Sequence, residues 1–171
     1  MTYVKPLSEL EKPDWISEAD WRATLERVES LDRIRADAKA HVETYLATGG
    51  KEGYRQELAP LPCLLITTIG RKSGKRVTTA LNFVQQGNKH IIVGSLAGAG
   101  GDPGWALNLR SNNQAWVQVQ DQKWEAQVQL LTEPERAAIW PSLVKIMPLW
   151  EVFQQRTDRR FPVFVLTPKK H

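Results

Sequence analysis

The sequence predicts an α+β fold: a small barrel of about six mainly antiparallel strands, with flanking helices and an N-terminal helix. Three observations predict it. Before residue 50, apolar side chains recur every three or four positions, the helical period. From Leu61 onward, short runs rich in β-branched residues take over, bounded by turn signals. Neighbouring runs read as hairpins, and hairpins close most readily into a barrel that removes exposed edges.

Residues 1–16 carry two prolines and no sustained period, so they read as an arm, with Trp15 the side chain available to dock it. Residues 17–171 read as one domain, as expected for a chain of 171 residues. Ser17 is the expected cap of a helix whose stripe is Trp21, Leu25, Val28, Leu31, Ile34, Ala38, Val42 and Tyr45. Gly49-Gly50 ends it. A buried strand follows from Cys63 to Ile69, then a turn over Gly70 to Lys75 and a second strand from Val77 to Val84. Gly87-Asn88 makes a tight hairpin turn into a third strand, His90 to Gly94. Ser95 to Gly104 is a glycine-rich loop longer than a hairpin needs. A short helix then starts, with Asp102 as the expected cap and Pro103 in its first position. Ala115 to Gln120 and Trp124 to Leu131 alternate polar and apolar, as a hairpin with one wet face does. Thr132 and Glu135 form a capping box ahead of a helix carrying Ile139, Leu143, Ile146 and Met147. Pro141 is placed to kink that helix and Pro148 to break it, with a further helical turn or two over Leu149 to Arg156. Phe161 to Leu166 is the last strand, and Pro168 to His171 a frayed tail.

Composition removes several classes of function. Apolar residues are 42% and charged residues 25%, close to a globular average, so extended disorder is not expected. One cysteine, Cys63, excludes an internal disulfide and any multi-cysteine metal site. The histidines at 41, 90 and 171 are too scattered for a histidine metal site, so no metal is expected. No apolar run nears the ~18 residues of a membrane span, and the first twenty residues have no signal-peptide core. A cytoplasmic protein with no integral membrane segment is the expectation. The net charge of +4 is too mild for a nucleic-acid binder, which shows a denser stripe of cations.

Three groups of residues could carry chemistry. Arg71, Lys72, Lys75 and Arg76 crowd a turn that also holds Gly70, Ser73 and Gly74. The turn is not a phosphate loop of the nucleotide-hydrolysing kind: three residues separate its glycines rather than four, and Arg76 follows Lys75 where Ser or Thr is needed. It is either an exposed hairpin turn or a site for an anion. The loop from Ser95 through Leu96, Ala97 and Gly98 to Gly101 is nearly all small residues. It is either a flexible connector or a floor on which a ligand lies flat, with Trp105 and Asn108 on the helix behind it. Met147, Trp150 and Phe153, three apart, are either core or the wall of an apolar substrate pocket. No nucleophile–base pair, paired carboxylates or metal ligands can be named, so an enzyme built from this chain must borrow its chemistry from an organic cofactor.

The stretch from His41 to Pro168 resembles the deazaflavin-dependent nitroreductase family of split-barrel flavin/deazaflavin oxidoreductases. The resemblance rests on Tyr45-Leu46-Ala47-Thr48-Gly49-Gly50, on Leu64 to Lys75, and on Ser95 with Gly98. It rests further on Pro103-Gly104-Trp105 with Asn108-Leu109, and on Arg156-Thr157-Asp158-Arg159 ahead of Pro162-Val163. It implies a split β-barrel and coenzyme F-420, a deazaflavin hydride carrier with a phosphate-bearing tail. On that pattern Arg71, Lys72, Ser73, Gly74, Lys75 and Arg76 hold the tail, with Thr78 and Thr79 lining the same groove. Ser95, Leu96, Ala97 and Gly98 cradle the ring, with Trp105 and Asn108 close by. Ser95 is the expected catalytic residue, as a hydrogen-bond donor to the ring or to the acceptor.

The family pattern has a basic residue where Val77 stands, a proline at Ala80, often a lysine at Leu96, and tyrosines where this chain has Met147, Trp150 and Phe153. Their hydroxyls are missing, so the expected small-molecule acceptor is apolar, a quinone rather than a nitroimidazole, with enones and other nitro compounds in the same electron-poor class. FMN in place of the deazaflavin, or a non-catalytic cofactor carrier, are the alternatives. Split barrels often dimerise, so a homodimer is the expected assembly.

Overall fold

The computed structural model describes residues 2–170. The arm runs along the body with a single 3-10 turn, Leu7–Glu9, and an isolated β-bridge from Val4 to Thr157. Leu10 packs on the core, whereas Trp15, the expected anchor, stays 55% exposed.

The expected first helix is two helices. Helix α1 spans Glu18–Arg27 and α2 spans Leu31–Thr48. Ser17 and Ser30 each accept a hydrogen bond from the backbone N–H three residues on, so both begin with a side-chain cap. The apolar period runs through the break, and only the second cap, Ser30, announces it. Helix α2 ends at Gly49, left-handed at φ 60°, with the N–H of Gly50 bonded to the Tyr45 carbonyl.

Seven strands follow: β1 (Cys63–Ile69), β2 (Arg76–Asn82), β3 (Val84–Gln86), β4 (Lys89–Val93), β5 (Ala115–Val119), β6 (Gln122–Leu130) and β7 (Val163–Pro168). The expected second strand is split at Phe83, which explains seven strands rather than six. The last strand continues through Pro168, where a frayed tail was expected, and Lys169 is tied to Glu125 by its backbone N–H and by an ion pair. His171 lies outside the described residues. The strands form one antiparallel sheet in the order β2-β1-β5-β6-β7-β4-β3. Its two edges, β2 and β3, are consecutive in the chain, so the sheet must curl until its ends meet at Phe83. This is the half-barrel form that the fold class implies.

Helix α3 is Gly104–Ser111, α4 is Glu133–Ile146 and α5 is Leu149–Gln154. The Thr132–Glu135 capping box is formed in both directions, and α4 runs unbroken past Pro141. Alternate residues of β4 and β7 bury on opposite faces. Ile92, Phe164 and Leu166 point into the curl with Ile66, Val117 and the α3 residues Trp105 and Leu109. Ile91, Val93, Val163 and Val165 point outward beneath α4 and α5, against Leu143, Met147 and Phe161. A strand buried on both faces reads as the continuous apolar run seen in the sequence. Each such side chain contributes about 1.5–3 kcal/mol by burial. Among the described residues no helix is long and apolar enough to cross a membrane.

Candidate functional site

The cationic turn joins β1 to β2. Gly70 N–H donates to the Lys75 carbonyl and Gly74 N–H to the Gly70 carbonyl, and Gly74 is left-handed at φ 68°. Ser73 Oγ accepts the Lys75 N–H. The turn is therefore ordered by its own backbone while its side chains are exposed. Among the described residues no carboxylate pairs with Arg71, Lys72, Lys75 or Arg76 (the six ion pairs lie elsewhere). Four cations in six residues with no internal counter-charge are a donor set suited to a multiply charged tail.

The cations do not form one patch. Arg71 donates from both its backbone N–H and Nη1 to Asn108 Oδ1 on α3, at 3.1 and 3.0 Å. Arg76 lies on the other side of the hairpin, its guanidinium 3.8 Å above the Trp116 ring, a cation–π contact. Adjacent strand residues face opposite ways, and this also separates the two threonines. Thr78 Oγ1 bonds Thr67 Oγ1 at 2.7 Å on the face of Arg76, while Thr79 pairs with Ile66 on the face of α3. Thr78 and Thr79 therefore do not line the same groove, contrary to expectation.

Asn108 is buried, with Nδ2 donating to Thr68 Oγ1 at 3.1 Å. It holds the turn against α3. Trp105, one turn earlier, is buried edge-on against Phe164, their ring centres 5.5 Å apart. Helix α3 thus leads from the glycine-rich loop to the cationic turn.

The loop is not a flexible connector. Leu96–Gly98 form a 3-10 turn, entered from Ser95 in a right-handed helical conformation, with Leu96 and Ala97 left-handed at φ 41° and 51°. Two consecutive non-glycine residues in that region cost of order 1–3 kcal/mol each and need outside support. Two arginines give it. Arg159 donates to the carbonyls of Gly94, Ser95 and Ala99 at 2.8–2.9 Å and to Asp102 Oδ1 at 2.9 Å. Arg156 donates from Nη1 to the Ala97 carbonyl and from Nε to the Lys5 carbonyl. Burial pulls the Arg159 guanidinium below its usual pKa, and Asp102 acts against that. Gly98, at φ 76°, lies so close to α5 that a β-carbon there would meet the Phe153 carbonyl at 2.3 Å.

Asp102 does not cap α3. The cap position is Pro103, with no side-chain bond, and the helix starts at Gly104. The Asp102 carboxylate instead pairs with Arg159 and, at 3.3 Å, with Arg110 in the last turn of α3. Ser95 is half-buried; its carbonyl is taken by Arg159 and Gly98 N–H, and its hydroxyl has no partner among the described residues. Met147, Trp150 and Phe153 are core residues at 4–8% exposure. Of the three, Met147 alone borders a cavity of about 260 Å³ that also touches Trp15, Ile16, Leu58 and Pro60. They form the backing on which the loop sits rather than an open wall. Cys63 is buried, its thiol pushed up to about 12, and is no nucleophile. Among the described residues no histidine, cysteine and carboxylate cluster could hold a metal.

Of the expected residues, Arg71, Trp105 and Asn108 meet at α3, and the Ser95–Gly98 bend is tied to it through Asp102 and Arg110. Arg76 and Thr78 lie instead on the far face of the hairpin, and Met147, Trp150 and Phe153 in the core. Thr68 carried no signal of its own in the sequence, Asp102 read only as a helix cap, and Arg156 and Arg159 entered only as part of the motif on which the resemblance rests. The one local trace was the pair of arginines three apart ahead of Pro162.

Comparison with known proteins adds a family. Residues 37–168 match the model of the F420H(2)-dependent quinone reductase family. An F420H(2)-dependent quinone reductase of Mycobacterium tuberculosis is 31% identical over 75% of this chain and 88% of its own length. Among solved structures, a domain-swapped dimer is 30% identical with TM-score 0.58, covering 75% of this chain and 95% of that one. An F420-H2 dependent reductase is 33% identical with TM-score 0.55, covering 61% of this chain and 93% of that one.

Proposed function

Because this chain belongs to the F420H(2)-dependent quinone reductase family, we propose that it is a deazaflavin-dependent oxidoreductase that passes a hydride from reduced coenzyme F-420 to a quinone held beside Ser95. The observation that carries this reading is a pair of features joined through α3: a cationic turn with no counter-charge, and a bent loop whose serine hydroxyl has no partner, both among the described residues.

The coenzyme, when bound, supplies the hydride; the chain supplies position and polarity. Lys72, Lys75 and Arg71 hold the anionic tail, and Asn108 fixes the direction of Arg71. Gly74 and Ser73 keep the turn in shape, while Arg76, over Trp116 on the far face, steadies the hairpin rather than the tail. Ser95 Oγ donates to the oxygen on which negative charge grows during transfer, where a fixed donor acts more strongly than water does. Leu96, Ala97 and Gly98 present backbone to the flat ring, and Trp105 stiffens the helix beneath it. The core formed by Met147, Trp150 and Phe153 keeps the loop from yielding as the reactants close. Enones and nitro compounds share the electron-poor character that such a site accepts. Self-association belongs to the same reading, supported by the likeness to a domain-swapped dimer.

The test is titration of the purified protein with coenzyme F-420 and with FMN in parallel, followed by anaerobic mixing of the reduced F-420 complex with a soluble naphthoquinone. Micromolar F-420 binding, weaker FMN binding and loss of the reduced-coenzyme signal on quinone addition are expected. Tighter FMN binding would move the assignment to a flavin enzyme, and tight F-420 binding with no turnover on any acceptor to a carrier.

A further inference from the structure

We propose that Arg159 is a positioning residue for the coenzyme site: paired with Asp102, its guanidinium gathers the carbonyls of the 94–99 bend to one side and so turns the amide side of Ser95, Leu96 and Ala97 toward the bound ring. The inference rests on the proposed placement of the ring at this loop.

The carbonyls of Gly94, Ser95 and Ala99 converge on Arg159, and that of Ala97 on Arg156. The Leu96 carbonyl accepts the Ala99 N–H. Every carbonyl from 94 to 99 outside Gly98 is therefore engaged within the protein. The opposite side of the bend differs. Among the described residues the N–H groups of Ser95, Leu96 and Ala97 have no backbone acceptor. A right-handed residue followed by left-handed ones brings successive N–H groups together as a concave donor site. Leu96 and Ala97 would not choose this conformation unaided. A buried planar fork with several fixed donors can impose it, where a lysine would offer a single point charge. The Arg159 side chain is 10% exposed and that of Asp102 14%, so the pair is shielded from salt and water. Asp102 also reaches Arg110, linking the bend to α3 and, through Asn108, to the cationic turn. One ion pair thus sets the ring loop relative to the tail site.

The test uses the full-length chain and four variants: Arg159→Gln, Arg159→Lys, Asp102→Asn and Leu166→Ala. Leu166, on β7 opposite His90, is a buried control away from the loop, chosen to lower the melting temperature without touching it. Coenzyme F-420 affinity is read by fluorescence titration, and amide exchange at Gly98 and Ala99 is read without coenzyme. Arg159→Gln is expected to weaken F-420 binding about tenfold or more and to accelerate exchange at both amides. Asp102→Asn, which keeps its shape, is expected to do the same by about threefold. Arg159→Lys should restore part of the affinity, and Leu166→Ala should bind within about twofold of the wild type despite its lower melting temperature. If Arg159→Gln does not fold, Asp102→Asn decides. Unchanged affinity and exchange in the folded Arg159 or Asp102 variants would overturn the inference, as would an equal loss of affinity in Leu166→Ala. Wild-type protein that fails to bind F-420 would instead bring down the proposed function, and this inference with it.

Discussion

Asn108 Oδ1 on α3 accepts two hydrogen bonds from Arg71, thirty-seven positions earlier: one from its backbone and one from its guanidinium. A single buried carboxamide thus joins the tip of a hairpin to a helix. Asn108→Ala leaves the Thr68 hydroxyl and the Arg71 N–H without their partner. A loss of about 1–3 kcal/mol in unfolding free energy is expected. Arg71 is released at the same time, so F-420 binding should weaken by about tenfold in a titration.

Lys72 and Lys75 have the opposite character. Both are exposed and neither is ion-paired among the described residues. Their replacement by alanine should leave the melting temperature within about a degree, because surface charges of this kind add little to folding. F-420 affinity should fall several-fold for each. Raising the salt from low to physiological ionic strength should weaken the wild type more than the double variant. Equal salt dependence would show that the turn does not hold the tail.

Ser95→Ala removes a hydroxyl that bonds nothing among the described residues, since the residue's carbonyl makes its structural bonds. Stability and coenzyme affinity should therefore hold. The rate of quinone reduction in single-turnover mixing should drop by about ten- to a hundredfold, the range for loss of one donor to a developing oxyanion. A drop in affinity with an unchanged rate would place the hydroxyl on the coenzyme.

His90 gives a pH signature independent of the active site. Burial against Phe83 and Trp124 lowers its pKa, with the backbone of Asn88 acting against the shift. The folded protein disfavours the charged ring, so the unfolded chain binds the proton more readily. Stability is therefore full above the ordinary histidine value of about 6.5 and declines as the pH falls below it. Melting curves between pH 8 and pH 5 should show this loss, and His90→Phe should remove part of it.

Much of the fold was legible because its signals are local. The Thr132–Glu135 box, Gly49 after α2 and the β-branched run at Cys63–Ile69 each act within a few residues. The break between α1 and α2 was missed because the apolar period continues across it, and the split at Phe83 because the residue suits a strand on either side. Asp102 read as a helix cap, since the sequence shows a carboxylate before Pro103 and cannot show Arg159 arriving from fifty-seven positions away. Thr78 and Thr79 were placed in one groove by the resemblance, but neighbours in a strand face opposite ways. The turn and loop were visible as compositions, but the residues that hold them in shape come from distant segments, with the arginines at 156 and 159 their one local trace.

The bridge between Val4 and Thr157 has a practical corollary. Lys5 and Arg156 exchange hydrogen bonds there, and Thr2 and Val4 lie against Gly100. An affinity handle fused ahead of Thr2 would emerge beside the bend assigned to the coenzyme and crowd it. One fused after Lys170 would leave from the far end of β7. Preparations carrying handles at opposite ends are therefore expected to differ in apparent coenzyme affinity even though their catalytic residues are identical.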